Sequence, residues 1–259
     1  LMKKIFSTIL CLLGLSVAVQ AQVHIGVNLQ LGFPSGEYRE VGGDVGVGGG
    51  LNVWVPFARQ IPVYLGLDFG YMLMSSHNQR INQQANIVGS GGQVLGTIPI
   101  NYSVTTNNNF LQGHVGLRIK APLPMIQPYA DGLVGFNYLY TRTKIVDENR
   151  NNNNNNTNNN DDNNTVLSAR NQAQDFVFSY GGGAGAMIRI TDNFGIDIRC
   201  VYLLGGQAEY YTRQDIESWT VTLSNPNQQG VPQDASIETV PRRSRTDLFY
   251  STIGIVFSF

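Results

Sequence analysis

Three histidines and two cysteines are the side chains here best suited to hold a metal or attack a substrate: His24, His77, His114, Cys11 and Cys200. None stands at a spacing that closes a metal site, where ligands recur roughly three to six positions apart. His77 follows Ser75 and Ser76, the one place where a nucleophile and a base lie together. No acid stands beside them to orient the ring. Glycine-rich runs at 46–50 and 181–185 resemble phosphate cradles, yet no helix follows either and no Lys-Ser/Thr pair completes one. Asp147, Glu148, Asp161 and Asp162 lack the regular acid spacing of a calcium loop. The sequence therefore predicts no catalytic, cofactor-binding or metal-binding residues.

The more specific constellation is one of charges: Asp68, Arg118, Lys120, Asp131, Arg189, Asp197, Arg199 and Glu209, four basic and four acidic. Each stands inside a segment that alternates apolar and polar residues. In 23–33, Val23, Ile25, Val27, Leu29, Leu31 and Phe33 oppose His24, Gly26, Asn28, Gln30 and Gly32. The split recurs in 45–57, 63–74, 111–121, 128–141, 176–190, 196–210 and 249–259, with Leu133 and Leu139 breaking it in the fifth segment. Period two is the signature of strands with two unlike faces. The greasy face carries no charge through its middle, whereas the polar face holds the charges and many glycines. This is apolar-out, polar-in, and each segment is near the length that a tilted membrane strand needs. Eight strands close on an interior that side chains just fill. Balanced charges there are expected to pair into a polar plug, since unpaired buried charge is costly. A narrow ion path is the alternative.

The links between segments support the same architecture. They alternate long (34–44, 75–110, 142–175, 211–247) and short (58–62, 122–127, 191–195), as the outer loops and periplasmic turns of such barrels do. Asn151 to Asn164 is nearly pure asparagine and predicts a disordered loop tip over about 149–165. Met2, Lys3 and Lys4 precede an apolar run from Ile5 to Val19, and Val19-Gln20-Ala21 supplies small residues for cleavage. Residues 1–21 thus read as a signal peptide and 22–259 as the barrel. The chain has 17 basic and 18 acidic residues, and leaving out Lys3 and Lys4 makes it 15 against 18, a net of about −3. That is no footprint for nucleic acid. After residue 22 no apolar stretch reaches the length of a helical span.

The end of the sequence adds a resemblance. Phe249, Ile253, Ile255, Phe257 and the terminal Phe259 alternate outward and resemble the C-terminal assembly signal of outer-membrane barrels. With the leader and eight strands, the chain resembles the small-barrel class typified by outer-membrane proteins A and X. Its Ala-Gln junction and Asn-rich loop are similar to the porin-family barrels of Bacteroidetes. The resemblance implies an all-β, eight-stranded antiparallel transmembrane barrel in the bacterial outer membrane, with long extracellular loops. It implies contact with outer-membrane lipid and lipopolysaccharide, and with the barrel-assembly machinery during insertion. No periplasmic domain follows the barrel in this sequence, so cell-wall tethering is not implied. The expected role is non-enzymatic: a structural, surface-binding or accessory subunit meeting an envelope partner through its outer loops. A narrow porin-like channel is the alternative, and a hydrolase with a rim site near His77 the second.

Overall fold

The computed structural model describes residues 23–58, 61–88, 93–147, 165–219, 221–226, 232–237 and 240–259. The expected leader and asparagine run lie outside the described residues. In chain order come β1 (His24–Pro34), α1 (Gly36–Glu40), β2 (Gly46–Ala58), β3 (Ile61–Val88), β4 (Val94–Lys120), β5 (Ile126–Asp147) and β6 (Thr165–Arg189). They are followed by β7 (Phe194–Gly205), β8 (Gln207–Tyr210), α2 (Arg213–Glu217), β9 (Val221–Pro226), β10 (Pro232–Ile237), β11 (Arg242–Arg245) and β12 (Leu248–Ser258). Eight strands form one closed antiparallel barrel in the order β1-β12-β7-β6-β5-β4-β3-β2. Closure rests on β1 pairing with β12 in unbroken register from His24↔Ser258 to Pro34↔Leu248. No backbone edge is left along the wall, the condition that lipid imposes on strands.

Alternation sets the two faces. Along β1, His24, Gly26, Asn28, Gln30 and Gly32 are buried, while Ile25, Val27, Leu29, Leu31 and Phe33 are exposed. Leu51, Leu67, Val115, Val134, Phe178, Ile198 and Ile253 continue that exposed belt around the wall. An apolar belt of this extent around a closed sheet suits hydrocarbon, not water.

Three expectations are corrected. The links 75–110 and 142–175 are not loops throughout. The strands on either side run on past the barrel rim and stay paired, as in Arg80↔Ser103, Val104↔Ile145 and Thr143↔Arg170. β3 to β6 therefore carry a four-stranded fin above the wall. Second, the strand expected over 196–210 leaves the wall at Gly205 and Gly206, where the amide of Gly206 donates to Phe178 O at 2.9 Å and Thr246 N donates to Gly206 O at 3.1 Å. β8 then pairs with β11. The face inverts across this break, so Ala208 and Tyr210 are buried while Glu209 is exposed, and Glu209 is not a lumen residue. Third, the interior is polar in only part of its height. Met72, Phe110, Leu139, Leu203 and Leu248 point inward and are almost wholly buried. Leu133 and Leu139 break the alternation because they belong to this inner apolar cluster.

Candidate functional site

Four wall strands bring the lumen charges to one level. Asp68 lies on β3, Arg118 on β4, Asp131 on β5 and Arg199 on β7, each at an inward position of its strand. Arg118 grips Asp131 with two nitrogens, Nε to Oδ1 at 2.7 Å and Nη2 to Oδ2 at 2.9 Å. Arg199 crosses the bore. Its Nη1 donates to Asp68 Oδ2 at 2.7 Å, and its Nε lies 2.8 Å from Asp131 Oδ2 in an ion pair not aligned as a hydrogen bond. Tyr250 donates to the same Asp68 oxygen at 3.2 Å. Asp197 stands beside this chain of ions, and the Tyr129 hydroxyl donates between its two oxygens, at 2.7 and 2.8 Å. The guanidinium of Arg118 is sandwiched between rings, 3.6 Å from the centroid of Tyr129 and 4.0 Å from that of Trp54. Charge-assisted bonds and cation–π contacts gain strength where water is excluded.

Trp54 has room because two glycines face it. Gly66 and Gly116 pair across β3 and β4, and a Cβ on Gly116 would stand 2.7 Å from the indole Cη2. Above the ions, Gln112 donates to Gln30 at 3.2 Å, and Gln30 to Asn28 at 3.0 Å. His114 bonds Ser179 at 2.7 Å, and Ser179 donates to Asn137 at 3.0 Å. Side chains thus fill the bore at this level.

The two ends differ. At the end with the short turns, Lys120 donates to His24 Nε2 at 3.1 Å and lies 4.4 Å from the ring centroid of Tyr64. An ammonium only donates, so the His24 ring proton sits on Nδ1 and is given to Ser258 Oγ at 2.7 Å. Arg189 stands half-buried at this mouth, in no ion pair among the described residues. At the other end, Tyr38 of α1 meets Tyr210 of β8 edge to face, with ring centroids 5.0 Å apart. The lid is tied by Arg245 N donating to Glu37 Oε2 at 3.0 Å and Gly205 N to Asp247 Oδ1 at 3.0 Å. α2 carries a capping box between Thr212 and Asp215, and Arg242 Nε reaches Asp215 at 2.8 Å. Burial tends to raise the Asp215 pKa, but the Thr212 bonds and the Arg242 charge outweigh it and hold the carboxyl below its ordinary value.

The fin has two unlike faces. Tyr102, Val104, Thr106, Thr143 and Ile145 are buried on the inner one. The cluster of Tyr211, Ile216 and Trp219 packs there against Ala173 of β6. The outer face carries Ser76, Asn107 and Arg142 in one register row and Asn78, Thr105 and Lys144 in the next, with Arg80 beyond. Arg142, Lys144 and Arg80 are exposed, and among the described residues the rows of Arg142 and Lys144 hold no carboxylate.

Of the eight charges that the sequence singles out, Asp68, Arg118, Asp131, Asp197 and Arg199 form one cluster. Lys120 and Arg189 lie at the turn end, and Glu209 lies outside. Trp54, Tyr129 and Tyr250 complete the cluster without having been singled out. Their place on inward positions of alternating segments is the available signal. The fin is only partly hidden in the sequence: Tyr102 and Val104 alternate with Ser103 and Thr105, but the all-polar Thr106, Asn107, Asn108 and Asn109 interrupt the pattern between them and the wall segment from 111. His77 is half-buried on β3 opposite Thr106, with no acid or serine bonded to its ring among the described residues. Phe249, Ile253, Ile255, Phe257 and Phe259 all face outward.

No protein-family model and no curated protein sequence matches the chain. Solved structures to which the chain is similar include small outer-membrane barrels. A major outer membrane protein from Thermus thermophilus shares 14% identity over 92% of this chain and 99% of that one, at a TM-score of 0.45. Neisserial surface protein A shares 9% over 92% and 97%, at 0.39. The attachment invasion locus protein of Yersinia pestis, solved with a heparin analogue, shares 12% over 92% and 97%, also at 0.39.

Proposed function

We propose that this chain is a non-enzymatic integral barrel of the bacterial outer membrane, akin to the porin-family barrels of Bacteroidetes, that binds a partner through its fin. The fin carries the reading. Binding residues are commonly held beyond a rigid scaffold, and here the scaffold's own strands extend into a stiff sheet. Its outer face offers cations, amides and hydroxyls in register, and among the described residues the rows of Arg142 and Lys144 hold no carboxylate. Such a face is suited to an acidic envelope or cell-surface partner. The test is a mild-detergent pull-down from native membranes, comparing the parent chain with Arg142→Glu/Lys144→Glu. The expected outcome is a stoichiometric partner retained by the parent and lost from the double variant. Retention by both, or a lone monomer that conducts in bilayers, overturns the reading.

A further inference from the structure

At the turn end the bore opens into a cavity of about 430 Å³. That volume falls in the range of small-molecule sites, roughly 300–1,000 Å³. Its polar lining is Lys120, Arg189, Gln127 and Tyr64, two cations and no carboxylate. Lys120 is only 6% exposed, has no carboxylate within ion-pair distance among the described residues, and keeps a single neutral hydrogen-bond partner, His24. Arg189 stands at the mouth without an ion pair among those residues. The charge balance of the bore points the same way. With Glu209 outside, four cations face three carboxylates: Asp68 and Asp131 are held deeper by Arg118, Arg199 and Tyr250, while Asp197, bonded by Tyr129, acts on Lys120 only from beyond ion-pair distance. The surplus positive charge therefore sits at this mouth. Buried cations without anions are costly unless a partner arrives from outside.

Gln127 supplies a second, independent observation. It lines the same cavity and is 5% exposed; its Nε2 is committed to Leu123 O at 2.9 Å, while its Oε1 is buried with no partner. A buried acceptor without a partner, on a side chain that lines the same cavity as two cations, suits a ligand that both accepts from the cations and donates one proton to the Gln127 amide. A carboxylate does only the first. A phosphate monoester near its second ionisation, at a pH of about 6, does both. Around these groups the mouth is apolar and stiff, with Pro62 and Pro122 among its lining residues.

We propose that this turn-end vestibule binds a small phosphate monoester: Lys120 and Arg189 take the anionic oxygens, Gln127 Oε1 accepts from the protonated oxygen, and the proline rim packs the organic group. The test is calorimetric titration of the refolded full chain in zwitterionic detergent at pH 6, with phenyl phosphate as the probe. Single-site saturable binding is expected, weakened by about tenfold in Arg189→Gln, as loss of one charge-assisted contact implies. Gln127→Leu should weaken phenyl phosphate while leaving benzoate unchanged, and Arg213→Gln, at the opposite end, should change nothing. Lys120→Met tests the floor, with unheated gel mobility confirming that it folds. No saturable heat, equal binding by Arg189→Gln, or equal binding of uncharged phenol overturns the proposal. Inorganic phosphate binding as tightly as phenyl phosphate overturns the role of the rim.

Discussion

Arg199 is the residue on which the interior turns. It is 1% exposed and touches carboxylates from two other strands, Asp68 of β3 and Asp131 of β5. Asp131 is also held by Arg118, but among the described residues Asp68 has only Arg199 and the weaker bond from Tyr250. Truncating Arg199 leaves Asp68 buried with one neutral donor. Arg199→Ala is expected to cost about 3–5 kcal/mol, the penalty for stranding a buried charge. Arg213 offers the contrast, since it pairs with Glu217 on α2 where both side chains are largely exposed. Arg213→Ala should cost no more than about 0.5 kcal/mol. Urea titrations of the two variants in lipid vesicles check the difference, and equal midpoints would show that the bore is wet enough to solvate Asp68.

At the scale of strands and hairpins, alternation makes the wall readable and misleads above the rim. Within the wall a step of one residue moves a side chain from lipid to lumen, so Ile25 against Gly26 or Ile198 against Arg199 is a large hydropathy contrast. Above the rim the fin keeps a buried inner face, but several of its buried positions are polar, Thr106, Asn109, Thr141 and Thr143 among them. Across 105–109 the residues are all Thr or Asn and differ only in burial, which hydropathy does not record, so the alternation of 101–104 stands detached from that of the wall. The break at Gly205 is hidden for another reason. Alternation in 196–210 continues through it in the sequence, and only the pairing of β8 with β11 shows that the inside has changed sides. Glu209 is misplaced by the sequence pattern on that account, whereas Asp197 and Arg199, before the break, are not. The two apolar intruders in β5, Leu133 and Leu139, are visible as exceptions but acquire a meaning only with Met72, Phe110 and Leu203 around them. The β5–β6 hairpin also yields a prediction. Its arms still pair at Asp147↔Thr165, so the residues joining them need only reverse the chain. The asparagine run among those residues has almost no apolar area to contribute to packing. Deleting Asn151 to Asn164 is expected to preserve the compact, heat-modifiable band on unheated gels, and its loss would give that run a part in assembly.

For the whole molecule, the question is whether a closed wall also encloses a path. Three successive levels bear on it. At the turn end the cavity reaches Lys120 and Tyr64. Above it Trp54, Arg118, Arg199 and Tyr250 span the bore, each no more than 6% exposed and joined by ion pairs, ring contacts or hydrogen bonds. Higher still, Met72, Phe110, Leu203 and Leu248 form an apolar layer beneath Tyr38 and Tyr210. A hydrated ion would have to part a bidentate Arg–Asp pair and then enter a layer offering it no ligand, and each step is opposed by desolvation. An eight-stranded wall has too little girth to relieve both at once. Purified barrel in planar bilayers is therefore expected to leave the membrane silent, with no stable steps across roughly ±100 mV at about 1 M salt, conditions under which an open narrow pore conducts measurably. Asp131→Ala/Arg118→Ala takes the bidentate pair out of the middle level but leaves Trp54, Arg199, Tyr250 and the apolar layer, so it should remain silent as well. Steady conductance in the double variant alone would place the seal entirely in the ion cluster, and steady conductance in the parent would replace a filled bore by a channel.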